Sequence, residues 1–186
     1  MKRQLAMTDP DVQILASLSL GLKGEYIRPR EDPWAGSPFA WILTRPSRQR
    51  GKIGEQLLAG WCAARDLNVL RSGNSDADRV IEGKRVEIKF STLWQSGSYT
   101  FQQIRDQDYD YLICLGICPL DAHAWIFAKR AIPFGKLKHQ HGGSRGRDTW
   151  WLTFKPDQPP VWLRKGGGRL ADVHKILARF RTKNRS

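Results

Sequence analysis

The stretch "DADRVIEGKRVEIKFS", residues 76–91, decides how the chain folds. Apolar residues alternate with polar ones at 80–81 and again at 86–90, and the turn sequence Glu-Gly-Lys at 82–84 separates the two runs. Two short alternating runs joined by a glycine-containing turn are typical of a β-hairpin. We therefore predict a hairpin here.

The polar positions of this hairpin are unusual for a face that only meets water. Side chains alternate along a strand, so Glu87 and Lys89 share one face, and their backbones lie roughly 6 to 7 Å apart. Asp78 belongs to the paired strand and reaches the same face from the side. Two carboxylates beside an ammonium suit phosphodiester hydrolysis, because carboxylate oxygens hold Mg²⁺ and a lysine orients water and offsets developing charge.

A helix is predicted before the hairpin, over residues 51–66, "GKIGEQLLAGWCAARD". At 100° per residue its apolar side chains fill half of the helix circumference. Glu55 falls just past the border of that arc, a position that suits a carboxylate pointing into a cleft and equally a solvated helix glutamate. The residues of the arc are Ile53, Leu57, Leu58, Trp61, Cys62 and Ala64.

The remaining core elements follow from the same patterns. Residues 68–71 predict a short strand, and "FQQIRDQ" at 101–107 is interpreted as a helix. The nearly continuous apolar run at 110–117 predicts a strand covered on both faces, and 123–129 its neighbour. The order is helix, three strands, helix, two strands, which predicts an α/β fold.

Both flanks of this core are basic. We predict one domain with a helix and basic loop at 1–50, a core at 51–134 and a basic extension at 135–186. Asp9-Pro10 is typical of a helix start, and we expect that helix to end at Gly21. The C-terminal sequence "LADVHKILARFRTK" predicts an amphipathic helix whose apolar side is formed by Leu170, Val173, Leu177 and Phe180.

Charge indicates the partner. Lys and Arg number 31 against 18 Asp and Glu, a net charge of +13, and residues 135–186 alone contain 13 basic and 3 acidic residues, a balance of +10. Such an excess favours a polyanion, and nucleic acid is the first expectation. Three cysteines form no even disulfide set, and no apolar run is long enough for a membrane span, so we expect a cytoplasmic protein without a membrane partner.

The hairpin and its upstream helix resemble the active-site pattern of the PD-(D/E)xK nuclease superfamily. The resemblance covers about residues 51–129 and implies a restriction-endonuclease-like αβββαβ core with a central mixed sheet flanked by helices. It implies that Asp78, Glu87 and the carbonyl of Ile88 bind Mg²⁺, with Mn²⁺ as a substitute, that Lys89 positions the attacking water, and that Glu55 supports the metal or its waters. Ala77 stands where the superfamily has its proline, and Asp76 is an alternative to Asp78.

Within that superfamily, the size, the basic flanks and the lack of a helicase or ATPase motif look most like a type II restriction endonuclease. The resemblance then implies cleavage of double-stranded DNA by a homodimer without a nucleotide cofactor, because a two-fold site is matched by a two-fold protein. Structure-specific repair nucleases and Holliday-junction-resolving nucleases of the same fold remain alternatives. So does a non-catalytic DNA-binding protein whose hairpin is merely solvated.

Candidate DNA contacts lie in three places. Arg48, Arg50 and Lys52 precede Glu55 and are placed to hold a phosphate. Ser91 shares the face of Lys89. Base contacts need Arg, Gln or similar side chains, and the candidates beyond the catalytic strand and in the glycine-rich loop are Gln102, Gln103, Arg105, His139, Gln140, His141, Arg145 and Arg147.

Overall fold

The computed structural model describes residues 10–26, 32–73, 75–140 and 148–183. The chain divides into two compact units, Met1–Ala35 and Gly36–Ser186. Within the described ranges, no helix is both long and apolar enough to cross a bilayer.

The first unit contains helix α1, Pro10–Tyr26. Its first described residue is the proline that the sequence indicates as the first helical position. The predicted end at Gly21 is wrong, because the helix continues to Tyr26. A glycine inside a helix costs only about 1 kcal/mol, and the leucine, lysine and glutamate that follow Gly21 are good helix formers.

The described part of the second unit contains four α-helices: α2 Ala40–Leu43, α3 Ser47–Ala64, α4 Val161–Arg164 and α5 Leu170–Lys183. Helix α3 begins four residues before the predicted start at Gly51, directly after Pro46, whose carbonyl accepts the Arg50 N–H at 3.0 Å. The basic connector is therefore shorter than predicted, and its last residues belong to the first turn of α3. The predicted helix at the C-terminal end is confirmed as α5, with Val173, Leu177 and Phe180 buried.

Nine strands form two sheets in the described residues. The main sheet has six strands in the order β1-β2-β3-β5-β6-β9, with β3 and β5 parallel and the other pairs antiparallel, and the second sheet has the order β4-β8-β7. The predicted α/β fold with a central mixed sheet flanked by helices is confirmed. The strands are β1 Val69–Arg71, β2 Arg79–Ile81, β3 Lys84–Thr92, β4 Tyr99–Ile104, β5 Tyr111–Ile117, β6 Ala122–Ala128, β7 Lys138–Gln140, β8 Thr149–Phe154 and β9 Gly167–Arg169.

The predicted helix over "FQQIRDQ" is wrong, since this segment contributes strand β4 to the second sheet. Tyr99, Phe101 and Ile104 are fully buried, and a bulge between Phe101 and Ile104 places Gln103 at a φ of 55°. The bulge adds one residue between buried positions, so the strand shows a spacing of three that imitates a helix. β8, which pairs with β4, lies about 50 residues later and is invisible to local pattern.

The two faces of the main sheet have different covers. On one face Phe90 of β3 lies beneath Gly54 of α3, and Tyr111 of β5 stacks on Phe180 of α5 with ring centroids 4.6 Å apart. On the other face Leu112, Cys114 and Trp125 belong to one core cluster with buried side chains of the second sheet. The register places Glu87 beside Leu112 and Lys89 beside Cys114, so both charged side chains lie on the face that the second sheet covers.

The hairpin turn consists of Glu82 and Gly83, which have φ values of 48° and 77°. Two successive positive φ values are typical of the tight turns that match strand twist. The Glu82 side chain is buried, and its carboxylate accepts the Asn68 N–H at 2.8 Å and pairs with Arg181 of α5 at 3.1 Å. Arg181 also donates to the carbonyl of Asp66. The last helix therefore holds the turn of the hairpin.

Replacement of Gly54 by alanine is expected to destabilise the protein, because the added Cβ would overlap the Cβ and Cγ of Phe90 and force α3 away from β3. Overpacking of this kind costs about 1–3 kcal/mol. Gly60 of the same helix has no atom within 4 Å of its Cβ position, so Gly60→Ala should stabilise the helix by up to about 1 kcal/mol. Urea unfolding of both variants measures the difference, and equal effects would contradict the close contact.

Candidate active site

Asp78 lies where β2 stops pairing with β3. The last pair of that ladder joins Arg79 to Val86, and one further step places Asp78 opposite Glu87. The Asp78 N–H donates to the Val86 carbonyl at 3.0 Å, and its carboxylate accepts the Ile88 N–H at 2.8 Å. The side chain therefore takes the place of a strand as the partner of β3, which fixes its carboxylate beside the edge of that strand.

Glu87 and Lys89 form an ion pair on the same strand, with Lys89 Nζ 2.7 Å from Glu87 Oε1. Their side chains are only 8% and 17% exposed, respectively. A buried pair loses much of its hydration, so it persists only with close geometry and further polar partners. The ammonium is thus held beside the carboxylate, as the alternation of the strand predicts.

Burial raises the pKa of Asp78 above the usual carboxyl range, and the negative charge of Glu87 raises it further. The Ile88 N–H and the positive charges of Lys89 and Arg79 oppose this rise without cancelling it. A cation placed between the Asp78 and Glu87 carboxylates would offset the repulsion that raises the pKa of Asp78. The electrostatics of the site are therefore those of a cation-binding pair.

The raised pKa of Asp78 makes a prediction about pH and stability without added metal. Because the native state holds this proton to higher pH than the unfolded chain does, the Asp78 contribution to stability falls as pH rises. The fall begins near pH 4, the ordinary range of aspartate, and is complete above the raised native pKa. Thermal melting in EDTA across this pH range should show that the Tm of Asp78→Asn rises relative to the wild-type Tm as pH increases. Parallel curves of Tm against pH would contradict the raised pKa.

The donors at this site fit a hard divalent cation. The N–H and carbonyl of one strand residue point to the same side, so the Ile88 carbonyl points to the side of Asp78. With the Asp78 and Glu87 carboxylates, this supplies oxygen donors only, which suits Mg²⁺ with waters and a phosphate completing its shell. Among the described residues, no three His, Cys, Asp or Glu side chains come together as a metal site.

Glu55 lies on the helical side of the main sheet, away from the face of Glu87. Its carboxylate is 2.9 Å from Lys52 Nζ and 3.7 Å from Arg79 Nη1, and Arg79 also donates to the Asp78 carbonyl at 2.7 Å. Glu55 is thus joined to Asp78 through Arg79, and its support of a metal stays a prediction. Sequence reasoning missed Arg79. This residue stands two positions before buried Ile81, so both side chains lie on the face of β2 that packs against α3, and that spacing could have identified Arg79.

Two further residues border the site and were not predicted. The Gln107 amide donates to Asp76 at 3.4 Å, so Asp76 faces the segment after β4, whereas Asp78 faces β3. Tyr109 is buried, donates to the Arg105 carbonyl at 2.8 Å, and has a raised pKa through burial and, second, the charge of Glu87. Tyr109 stands between two aspartates, just before the apolar run at 110–117, and that context gave no sequence signal for this position.

The predicted phosphate contacts lie in the first turns of α3. Arg48 is exposed, Arg50 donates to Ser47 Oγ at 3.4 Å, and Lys52 pairs with Glu55. Ser91 differs from its prediction as a DNA contact, because it is buried and its hydroxyl accepts the Thr100 N–H at 3.0 Å. Ser91 joins β3 to β4, which leaves its hydroxyl occupied within the protein.

The predicted base contacts separate into two groups. Gln102 and Gln103 belong to β4, Arg105 follows it, and His139 and Gln140 belong to β7, so all five lie in or beside the second sheet. The His139 side chain lies 3.3 Å from Asp148 and close to the Trp150 ring. The other predicted contacts lie outside the described residues: His141, Arg145 and Arg147.

Similarity to known proteins is found among solved structures. No family model matches the sequence, and the search of curated proteins gives no match. The chain is similar to a bacterial homing endonuclease, I-Ssp6803I, with 17% identity and a TM-score of 0.48, covering 75% of this chain and 97% of that one.

Proposed function

We propose that this protein is a metal-dependent DNA endonuclease whose active site contains Asp78, Glu87 and Lys89. The observation that carries the proposal is the pairing of two carboxylates, one with a raised pKa, beside an ammonium 2.7 Å from Glu87. The net charge of +13 supports a polyanionic substrate.

Each residue has a separate task in the proposed reaction. Asp78, Glu87 and the Ile88 carbonyl would hold Mg²⁺, with Mn²⁺ as a substitute, and the cation would polarise the phosphate and lower the pKa of a water. Lys89 orients the attacking water and offsets charge that develops on the phosphate. Arg79 holds the backbone of Asp78 in place through its carbonyl.

Supercoiled plasmid provides the first test. We expect nicked and then linear plasmid with Mg²⁺ or Mn²⁺ and intact plasmid with EDTA, because the reaction needs the cation. Circular DNA has no ends, so its cleavage distinguishes an endonuclease from an end-processing enzyme. Metal-independent DNA binding without cleavage of any DNA would overturn the proposal in favour of a binding protein.

Within this class we propose a type II restriction endonuclease that cuts both strands as a homodimer. The compact size of the domain and the basic segment at residues 135–186 support this assignment. It rests on the resemblance to restriction endonucleases rather than on the geometry of the site. Digestion of a phage genome followed by sequencing of the fragment ends should give one short symmetric sequence. Cleavage confined to four-way junctions or other branched DNA would instead identify a structure-specific nuclease.

A further inference from the structure

The second sheet has two faces of different chemistry. Its inner face contributes Tyr99, Phe101, Leu152 and Phe154 to the core. The alternate residues form what we call the outer face, because side chains two positions apart share a face of a strand. Apart from Thr149 of β8, which is buried, the outer face consists of Thr100 and Gln102 from β4, Trp151 and Thr153 from β8, and Lys138 and Gln140 from β7.

Contacts between strands confirm that these residues share one face. Thr153 Oγ1 donates to Thr100 Oγ1 at 3.2 Å across the β4–β8 pair. Lys138 lies directly opposite Trp151, and its ammonium is 5.9 Å from the centroid of the Trp151 ring. Thr153 and Lys138 are exposed, and the other four residues are partly exposed.

The outer face has the chemistry of a nucleic-acid surface. Gln amides match the paired donor and acceptor of adenine, Thr methyl groups suit thymine, and a lysine ammonium pairs with phosphate. The strands β4, β7 and β8 contain no Asp or Glu, so no carboxylate within them repels a phosphate. Three strands lie within residues 135–186, the segment with a net charge of +10, and two of them, β7 and β8, belong to the second sheet.

Strand β4 joins the sheet that carries the outer face to elements of the candidate active site. At one end of β4, the Thr100 N–H donates to Ser91 of the catalytic strand. Beyond the other end, Gln107 donates to Asp76, two residues before Asp78. Strand β4 therefore connects the second sheet both to β3, which carries Glu87 and Lys89, and to the segment that leads into Asp78.

We propose that the outer face of the second sheet binds double-stranded DNA, with Gln102 and Gln140 contacting base edges and Lys138 contacting a phosphate. The inference rests on the proposed function for the identity of its ligand. It gives the nuclease a specificity surface separate from the catalytic residues.

DNA binding in EDTA tests the surface without cleavage. Fluorescence anisotropy with a labelled duplex from a cleaved phage fragment, over a range of salt concentrations, should show that Lys138→Ala weakens binding and lowers the salt slope by about one unit. Lys138→Arg keeps the charge and should restore both. Lys175→Ala is the matched control, because this exposed lysine lies on α5, which packs on the other face of the main sheet.

The ends of fragments cut with Mg²⁺ test base reading. Gln102→Ala and Gln140→Ala should each relax the cleaved sequence at one position, with discrimination there falling about 5- to 150-fold. Both glutamines are partly exposed, so thermal melting should match wild type. The rate at which each variant cleaves the original target sequence should stay close to the wild-type rate.

The outcomes separate this inference from the proposed function. If wild type cleaves and all the outer-face variants bind and cut as it does, the surface is wrong and the nuclease stands. If Lys175→Ala weakens binding as much as Lys138→Ala, the DNA lies elsewhere and the surface is again wrong. If wild type neither binds nor cuts DNA, both proposals are overturned.

Discussion

Lys89→Ala is expected to lower the rate of plasmid cleavage by about 10²- to 10⁴-fold, the usual contribution of a side chain that handles a proton or charge at the reacting centre. DNA affinity should change little, because Lys89 is 17% exposed and pairs with Glu87 rather than facing solvent. Single-turnover cleavage with Mg²⁺ measures the rate, and binding in EDTA measures the affinity.

Two further variants distinguish loss of catalysis from loss of folding. Lys89→Gln keeps a hydrogen-bond donor for Glu87 without the charge, so it should fold and still be inactive. Lys84→Ala removes a lysine from the first residue of the same strand and should cleave as wild type. Equal cleavage by wild type and both Lys89 variants would remove Lys89 from the active site.

Asp78→Asn is expected to abolish cleavage while leaving a folded protein. Loss of a carboxylate ligand removes several kcal/mol of charge stabilisation, which corresponds to about 10³-fold or more in rate. The amide oxygen still accepts the Ile88 N–H, and the repulsion from Glu87 disappears, so the metal-free variant should be as stable as wild type or more stable near neutral pH.

Metal binding gives the second readout for Asp78. Wild type at a Mg²⁺ concentration 100 times its dissociation constant should gain about 2.7 kcal/mol of stability, and Asp78→Asn should gain little at the same concentration. Asp157→Asn, an exposed aspartate, should behave as wild type. A variant that keeps both cleavage and the Mg²⁺ effect would transfer the ligand role to Asp76.

The local elements of the hairpin at residues 79–92 could be predicted because their signals are local. Alternation gave the strands, Glu82 and Gly83 gave the turn, and the shared face of Glu87 and Lys89 followed from a period of two. The buried run of β5 was equally clear, since a strand covered on both faces is apolar at almost every position.

The errors arose where long-range pairing decides the structure. β4 pairs with a strand about 50 residues later, and its bulge disguised its period. The side on which Glu55 lies depends on which face of β3 meets α3, and a helix period does not contain that information. Ser91 was a candidate for DNA until β4 was placed across it.

The pairing of Glu82 with Arg181 has a consequence for how the protein is made. The two residues are separated by 99 positions, so a ribosome has already released the hairpin sequence long before Arg181 is synthesised. Until then the buried carboxylate of the turn has no guanidinium partner from α5, and a buried charge without its partner is costly. Nascent chains therefore complete the support of this hairpin turn only after α5 has been synthesised, which delays completion of the candidate active site.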